Sequence, residues 1–363
     1  MRVSVCVPTF ERPKTTELLI ESFLAQDYAD RELVIADDSR SDVVSQIVAG
    51  FAEDRIVYHH HNQPLGFCWN LRSALEQSSG DVAVLLGDDD MLARADTLSI
   101  YAAHFASNPT VGYACTNAVQ IDYNGDVTFA YVTGDDVTVY KNGSAALEHL
   151  LLSSVHIAGI AFRRVPDLLD HYPNAEMLFP QVELASEILL DHAGMAIGSF
   201  LVAARTSEDQ LGFTAAPAGR PTAGGEKPTT SARGIPRHGN FEVMAVIDCL
   251  REHSHVPAAA ARTMERRYVK SYATNLVNEK ITLGNRAVLE HLRLLRQSST
   301  EAKQAYWLLF LSTLILALPR RTALQVKLAL RKVVAARILR RYQPMHDWPL
   351  VTTMRQYQRR PQN

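Results

Sequence analysis

Apolar residues in the first hundred positions fall in short unbroken runs, separated by stretches with helical spacing. Val3 to Val7, Leu33 to Ala36 and Val82 to Leu86 have the length and composition of strands buried on both faces, and Arg55 to His59 is strand-like. Lys14 to Gln26, Val43 to Phe51 and Phe67 to Gln77 read as amphipathic helices between them. Alternation of this kind, sustained to about residue 107, predicts a doubly wound α/β layer with a parallel sheet. Ligands of such sheets bind outside the C-terminal ends of the strands. Three of the runs end there in polar residues, Pro8 to Arg12, Asp37-Asp38 and Asp88 to Asp90, so three polar loops are expected to meet at one edge.

Farther along, Val111 to Ile121 and Val127 to Val132 are strand-like, joined by the hairpin signal Asn124-Gly125-Asp126. Ala145 to Leu152 and Gln181 to Leu190 read as helices, Ile157 to Phe162 and Ala196 to Ala204 as strands. This part reads as a mixed extension of the sheet, placed to hold an acceptor. Thr214 to Arg237 carries four Pro and four Gly with no apolar period, the composition of a lid or linker. The expected division is residues 1–213, a linker at 214–237, and a helical region at 238–363 built from Phe241 to Glu252, Ala258 to Val277, Asn285 to Leu295, Glu301 to Leu318 and Thr322 to Tyr342.

A formal net charge of −2 argues against nucleic acid as the main partner. The average conceals an asymmetry, because Ala302 to Asn363 holds 12 Lys and Arg against one acid, Asp347. Basic residues beside the apolar stretch Tyr306 to Leu318 suit an anionic membrane surface, and a helical appendage that packs on the body or forms a homodimer is the plainer alternative. The four cysteines form no CxxC pair, as in a reducing compartment. The chain opens on a strand with no signal-peptide pattern, and no run reaches the length of a spanning helix, so a cytoplasmic protein, peripheral on the inner face of the plasma membrane, is expected.

The candidate chemistry centres on Asp88, Asp89 and Asp90. Adjacent carboxylates at a strand end repel, and a hard divalent cation such as Mg²⁺ or Mn²⁺, shared with substrate phosphates, offsets that charge. A polar turn before a helix at Arg94, with Asp90 or Asp96 near its N-cap, is the bland alternative. His59-His60-His61 suggests a zinc tract, but consecutive strand residues point to opposite faces, so the three read as a strand end and loop.

In order, V-S-V-C-V-P-T-F-E-R (Val3 to Arg12), V-I-A-D-D-S (Val34 to Ser39), Asn62, Gly66 and Asn70, S-S-G-D-V-A-V-L-L and the acidic triplet resemble the inverting family 2 glycosyltransferases of the GT-A fold. The resemblance covers about residues 2 to 120. It implies a Rossmann-like GT-A sheet and transfer of a sugar from a nucleotide-diphosphate donor to a hydroxyl of a saccharide or lipid-linked acceptor, in surface polysaccharide synthesis. On this resemblance Pro8, Thr9, Phe10 and Glu11 line the nucleotide pocket. Asp37 accepts a hydrogen bond from the base, and Asp38 supports the loop. Asn70 and Arg72 border the diphosphate. Asp89 ligates the metal with Asp90, and Asp88 contacts the ribose or the metal. His156 is a candidate diphosphate contact. Glu183 is the candidate general base, with Glu187 one helical turn on and Gln181 as the other occupant of that position. The chain departs from the family at Gly87, where Asp is common, and at Trp69, where Arg is common. The rivals are a nucleotidyltransferase, disfavoured because Pro8 to Pro13 lacks a Gly-rich basic loop, and a non-catalytic nucleotide-sugar-binding module.

Overall fold

The structure is a computed structural model that describes residues 1–121, 127–173, 177–205, 242–253, 256–282, 284–299, 301–302 and 305–341. The chain divides into two compact units, Met1–Ser207 with Ile338–Asn363, and Glu208–Arg337. The division falls a few residues before the linker expected at 214–237, which lies outside the described residues, as does the hairpin turn at 124–126.

The first unit is a mixed sheet with helices on it. Its strands are β1 (Val3–Thr9), β2 (Arg31–Asp37), β3 (Ile56–His60), β4 (Val82–Leu85), β5 (Asp90–Leu92), β6 (Val111–Ile121), β7 (Val127–Tyr131), β8 (Thr138–Tyr140), β9 (Ile160–Arg163) and β10 (Ala193–Arg205). They lie in the order β3-β2-β1-β4-β9-β6-β10-β5, with β7 on β6 and β8 on β10. β3, β2, β1 and β4 pair in parallel, as their continuous apolar runs predict, and β9 enters antiparallel to β4. The helices are α1 (Pro13–Leu24), α2 (Val43–Phe51), α3 (Phe67–Gln77), α4 (Thr97–Ser107), α5 (Ser144–Leu150) and α6 (Pro180–Asp191). One core packs Val5, Val7, Ile20, Phe23, Leu33, Ile35, Val84, Leu98 and Phe105 between sheet and helices. Nine fully or nearly fully buried apolar side chains, at about 1.5–3 kcal/mol each, are a large share of what holds the sheet.

The short strands β5 and β8 were not foreseen, whereas the helix expected near Arg94 is present as α4 with Asp96 at its N-cap. The acidic triplet runs into the short strand β5 rather than directly into a helix, and α4 begins at Thr97 after the Arg94–Asp96 ion pair. β5 exists because β10 is long enough to reach it, Ala204 pairing with Asp90. Close packing also demands small residues. A Cβ on Gly112 would sit 2.5 Å from the His192 Cβ, and one on Gly194 2.3 Å from a Leu150 methyl.

The second unit is helical, with α7 (Glu242–Glu252), α8 (Ala258–Thr282), α9 (Asn285–Ser298), α10 (Tyr306–Ala317) and, as far as Arg337, α11 (Arg320–Arg341). Buried Glu265 on α8 takes bonds from Arg251, Ser299 and the Glu301 N–H, which ties three segments to one carboxylate. No helix among the described residues is long and apolar enough to cross a membrane.

Candidate active site

The three polar loops do meet at the C-terminal edge of β1, β2 and β4. Thr9 ends β1 and its hydroxyl donates to Asp88 Oδ2 at 3.0 Å, with the Phe10 N–H on the same oxygen at 3.3 Å. Arg12 places Nη1 2.9 Å from Asp88 Oδ1 and 3.2 Å from Asp89 Oδ2. The backbone N–H of Arg205, the last residue of β10, reaches the Asp89 carbonyl at 3.3 Å. Its buried guanidinium acts on all three carboxylates.

The electrostatics follow from burial. It pushes the Asp88 carboxyl up to about 6, Asp89 adding to the shift while Arg12 and Thr9 oppose it. It raises Asp90 well above the usual carboxylate range, again with Asp89 adding. Burial would lower the Arg12 guanidinium, but the charges of Asp88 and Asp89 outweigh it and hold it above its ordinary value. A carboxylate cluster in this condition favours added positive charge.

The sequence expectations divide here. Pro8 is buried in β1, which continues through Thr9 instead of stopping at Val7. Phe10 is exposed at the edge. Glu11 is committed elsewhere. Its carboxylate accepts from Arg40 N at 2.8 Å, Ser41 N at 3.2 Å and Ser41 Oγ at 2.6 Å, and the Ser41 bond leads in holding its pKa down. Asp37, expected to read the base, is fully buried with Oδ1 taken by the Ser39 N–H (2.8 Å) and Oδ2 by the Tyr58 hydroxyl (2.6 Å). It secures the loop instead. Asp38 accepts from Leu65 N (3.1 Å) and Gly66 N (2.8 Å) at the start of α3, with His61 Nδ1 3.0 Å away.

Asn70 is buried and donates from Nδ2 to the Thr9 carbonyl at 3.0 Å, while its Oδ1 has no partner in the fold. That orphaned acceptor lies one residue from the Asp88 contact and suits a ligand donor. Arg72 does not turn to the edge. Its Nε pairs with Glu76 at 2.7 Å and its guanidinium lies over the rings of Trp69 and Tyr172, since four-residue spacing on α3 favours the local pair. Asp90 Oδ2 accepts from the Gly87 N–H at 2.7 Å, which closes the turn.

Gln181 Nε2 donates to the Val155 carbonyl at 3.3 Å, and Gly159 N donates to the Leu85 carbonyl at 3.1 Å. The start of α6 is therefore tied to the segment over the end of β4. Glu183 lies in that first turn, half-buried, with Glu187 exposed one turn on. His156, expected within a strand, sits exposed between a 3₁₀ turn and β9, its ring 4.1 Å from that of Tyr131. His60 and His61 bond separately to Ser39 and Ser73, so the histidine run is structural.

The carboxylates fit a divalent ion. Asp89 Oδ1 and Asp90 Oδ2 converge over Gly87, where a Cβ would stand 2.9 and 3.1 Å from them. Glycine at this position, where the family often has Asp, keeps that space open. No group of three or more His, Cys, Asp or Glu among the described residues closes around an ion on its own. Sequence reasoning missed Arg12, Arg205, Ser39 and Tyr58. Arg12 stood in a quoted motif, but Arg205 is more than a hundred residues from the triplet and carried no local signal.

A mixed sheet flanked by helices, with an acidic turn after its fourth strand, is the arrangement expected of the GT-A fold. The fold is similar to that of TarS 1-349 from S. aureus, with a TM-score of 0.56 and 14% identity over 87% of this chain and 89% of that one, and 0.59 for the same protein in complex with UDP-GlcNAc. Residues 4–161 match the model of glycosyl transferase family 2. Among curated relatives, the chain is 37% identical over 94 residues to the Campylobacter jejuni GalNAc(5)-diNAcBac-PP-undecaprenol beta-1,3-glucosyltransferase, 25% of this chain and 30% of that one. It is 28% identical over 151 residues to abequosyltransferase RfbV of Salmonella typhimurium, 39% and 45% of the two chains. The matches thus span less than half the length of either relative.

Proposed function

We propose that the protein transfers a sugar from a nucleotide-diphosphate donor to a hydroxyl of a saccharide or lipid-linked saccharide, with inversion, in polysaccharide synthesis. The observation that carries this is the convergence of Thr9, Phe10 and Arg12 on Asp88 and Asp89 at the sheet edge. The name of the Campylobacter jejuni relative, with its PP-undecaprenol saccharide, supports the acceptor class. Asp89, with Asp88 beside it, would hold Mg²⁺ or Mn²⁺, which supplies positive charge to the leaving diphosphate. Thr9 and the Phe10 N–H keep Asp88 aimed at the edge. Phe10 offers an apolar face to the base, and Asn70 Oδ1 accepts from the donor. Glu183 takes the proton of the acceptor hydroxyl, on the side opposite the diphosphate. His156, exposed over the same edge, is placed in this reading against the diphosphate.

The α11 helix has no acid and exposes Leu324, Leu328 and Val333 beside Arg321, Arg337 and Arg340, which supports contact with an anionic membrane and so with a lipid-linked acceptor. Flotation with phosphatidylglycerol vesicles, read against light scattering in their absence, separates this from a homodimer. The central test is a thermal-shift panel of nucleotide sugars with and without Mn²⁺, followed by donor hydrolysis and transfer. Asp89→Ala is expected to abolish a metal-dependent shift seen in the parent, and an unchanged shift defeats the assignment. Binding without any turnover would leave a non-catalytic module.

A further inference from the structure

Arg12 stands in a contradictory position. Its carbonyl starts α1, accepting from Thr16 N at 3.1 Å and Thr16 Oγ1 at 2.8 Å, so its backbone is fixed. The residue before it, Glu11, takes φ 53°, a left-handed conformation uncommon outside glycine. That conformation is held by the Glu11 N–H on Ser39 Oγ at 2.7 Å and by the three bonds from Arg40 and Ser41 to its carboxylate. Strain kept in place by so many bonds is a mark of functional loops. The Arg12 side chain turns back across Asp88 Oδ1 and Asp89 Oδ2, beside the Asp89 Oδ1 that converges with Asp90 Oδ2 over Gly87. A guanidinium paired with the Asp89 carboxylate weakens its pull on a second cation.

We propose that Arg12 is a resident counter-cation. It neutralises Asp88 and Asp89 until a nucleotide diphosphate arrives with its divalent ion, then exchanges the carboxylates for a phosphate oxygen, so that metal and nucleotide bind as a pair. The inference rests on the metal–diphosphate reading above. Formal charges support it. Arg12 and Arg205 offset the charge of the aspartates, which leaves a weak field for an ion alone, whereas a diphosphate restores the attraction. The planar fork that matches a carboxylate matches a phosphate equally well, and the Arg12 side chain retains enough exposure, 24%, to move between them.

The test is Mn²⁺ binding to the full chain, by electron paramagnetic resonance or calorimetry, with and without UDP or GDP, for the parent, Arg12→Gln and Arg12→Lys. In the parent, nucleotide is expected to tighten Mn²⁺ at least tenfold, and Mn²⁺ to tighten nucleotide by the same factor. Arg12→Gln is expected to bind Mn²⁺ alone about tenfold more tightly than the parent and to lose most of the coupling, while Arg12→Lys stays near the parent for Mn²⁺ alone. A merely structural arginine moves the other way, because its loss disorders Asp88 and Asp89 and weakens Mn²⁺. Equal or weaker Mn²⁺ binding by Arg12→Gln in a folded protein overturns the proposal. So does a parent whose Mn²⁺ affinity ignores nucleotide, a result that needs no variant. A parent that binds no Mn²⁺ even with nucleotide defeats the metal–diphosphate reading itself.

Discussion

Glu32 offers a sharp test of the physics under the sheet. It lies on β2 at the edge opposite the site, 2% exposed, and accepts four bonds from Ser4 Oγ at 2.5 Å, Ser79 N at 2.6 Å, Arg2 Nη2 at 2.7 Å and Ser79 Oγ at 2.9 Å. These tie β1, β2 and the approach to β4 together. Glu32→Gln keeps the shape but removes the charge and turns an amide NH₂ toward donors. Bonds to a charged acceptor contribute about 1.5–3 kcal/mol and neutral ones about half that. Arg2 is 45% exposed and is discounted for screening, so the three remaining bonds predict a loss of about 2–4 kcal/mol. For a unit of this size that lowers the melting temperature by roughly 5–15 °C. The pH dependence has a definite sign. Burial alone would raise the Glu32 pKa, but its bonds to Ser4 and Ser79 and the Arg2 charge outweigh it and hold the pKa below the usual range. A depressed folded-state value contributes stability above the unfolded pKa, and this stability is lost as pH falls through the folded one. Urea unfolding by circular dichroism should therefore show the gap between parent and Glu32→Gln at pH 7 and its narrowing below about pH 4. A gap under about 0.5 kcal/mol at pH 7, or one that does not narrow with acid, refutes the reasoning.

Other consequences are as direct. Burial pushes the Cys6 and Cys115 thiols up to about 12, and Cys68 is buried while Cys249 is exposed, so a maleimide at neutral pH should label Cys249 alone until denaturant is added. Tyr58→Phe removes the hydroxyl bonded to buried Asp37 and should cost about 1–3 kcal/mol, with weaker nucleotide binding measured by calorimetry. Gly159 has φ +81° and would place a Cβ 2.8 Å from Thr116 Oγ1, so Gly159→Ala should destabilise by about 2 kcal/mol or more in chemical denaturation.

The parallel half of the sheet was legible because each strand there announces itself. A run such as Val82 to Leu86 cannot be solvated on either face, and the polar residues after each run have only the strand ends to occupy. The helices α2 and α3 stood at their expected bounds for the same reason, their apolar period stopping where the pattern stops. β5 and β8 were not legible. Each is three residues long and exists only because β10, distant in sequence, offers an edge. Within the site, sequence order found which loops meet but not how their side chains share the work. Asp37 and Asp38 look equivalent as a pair, yet alternation along the strand and the position of Tyr58 on β3 bury the first in loop bonds, while the second faces Leu65 and Gly66.

Arg205 illustrates why a site can be half visible. The triplet poses an electrostatic problem wherever it lies, and its own neighbourhood from Gly80 to Ala93 contains no cation. Any solution has to come from elsewhere in the chain, and proximity in sequence cannot say from where. The fold supplies two answers from opposite directions, Arg12 from the loop after β1 and Arg205 from the end of β10. They differ in freedom. Arg12 is partly exposed on a loop, whereas Arg205 is buried, and burial alone lowers its pKa against the pull of the three aspartates. A buried cation at that place stabilises the empty turn and the loaded one alike, so it contributes to holding the carboxylates and not to choosing among ligands. Selection between a bare ion and an ion carried on a diphosphate has to fall to the group that can move. Arg205→Met should accordingly weaken Mn²⁺ with and without nucleotide by similar factors, or lower the melting temperature, leaving their coupling in place. If instead the coupling collapses in Arg205→Met and survives in Arg12→Gln, the division of labour between the two arginines is the reverse of the one their exposure dictates.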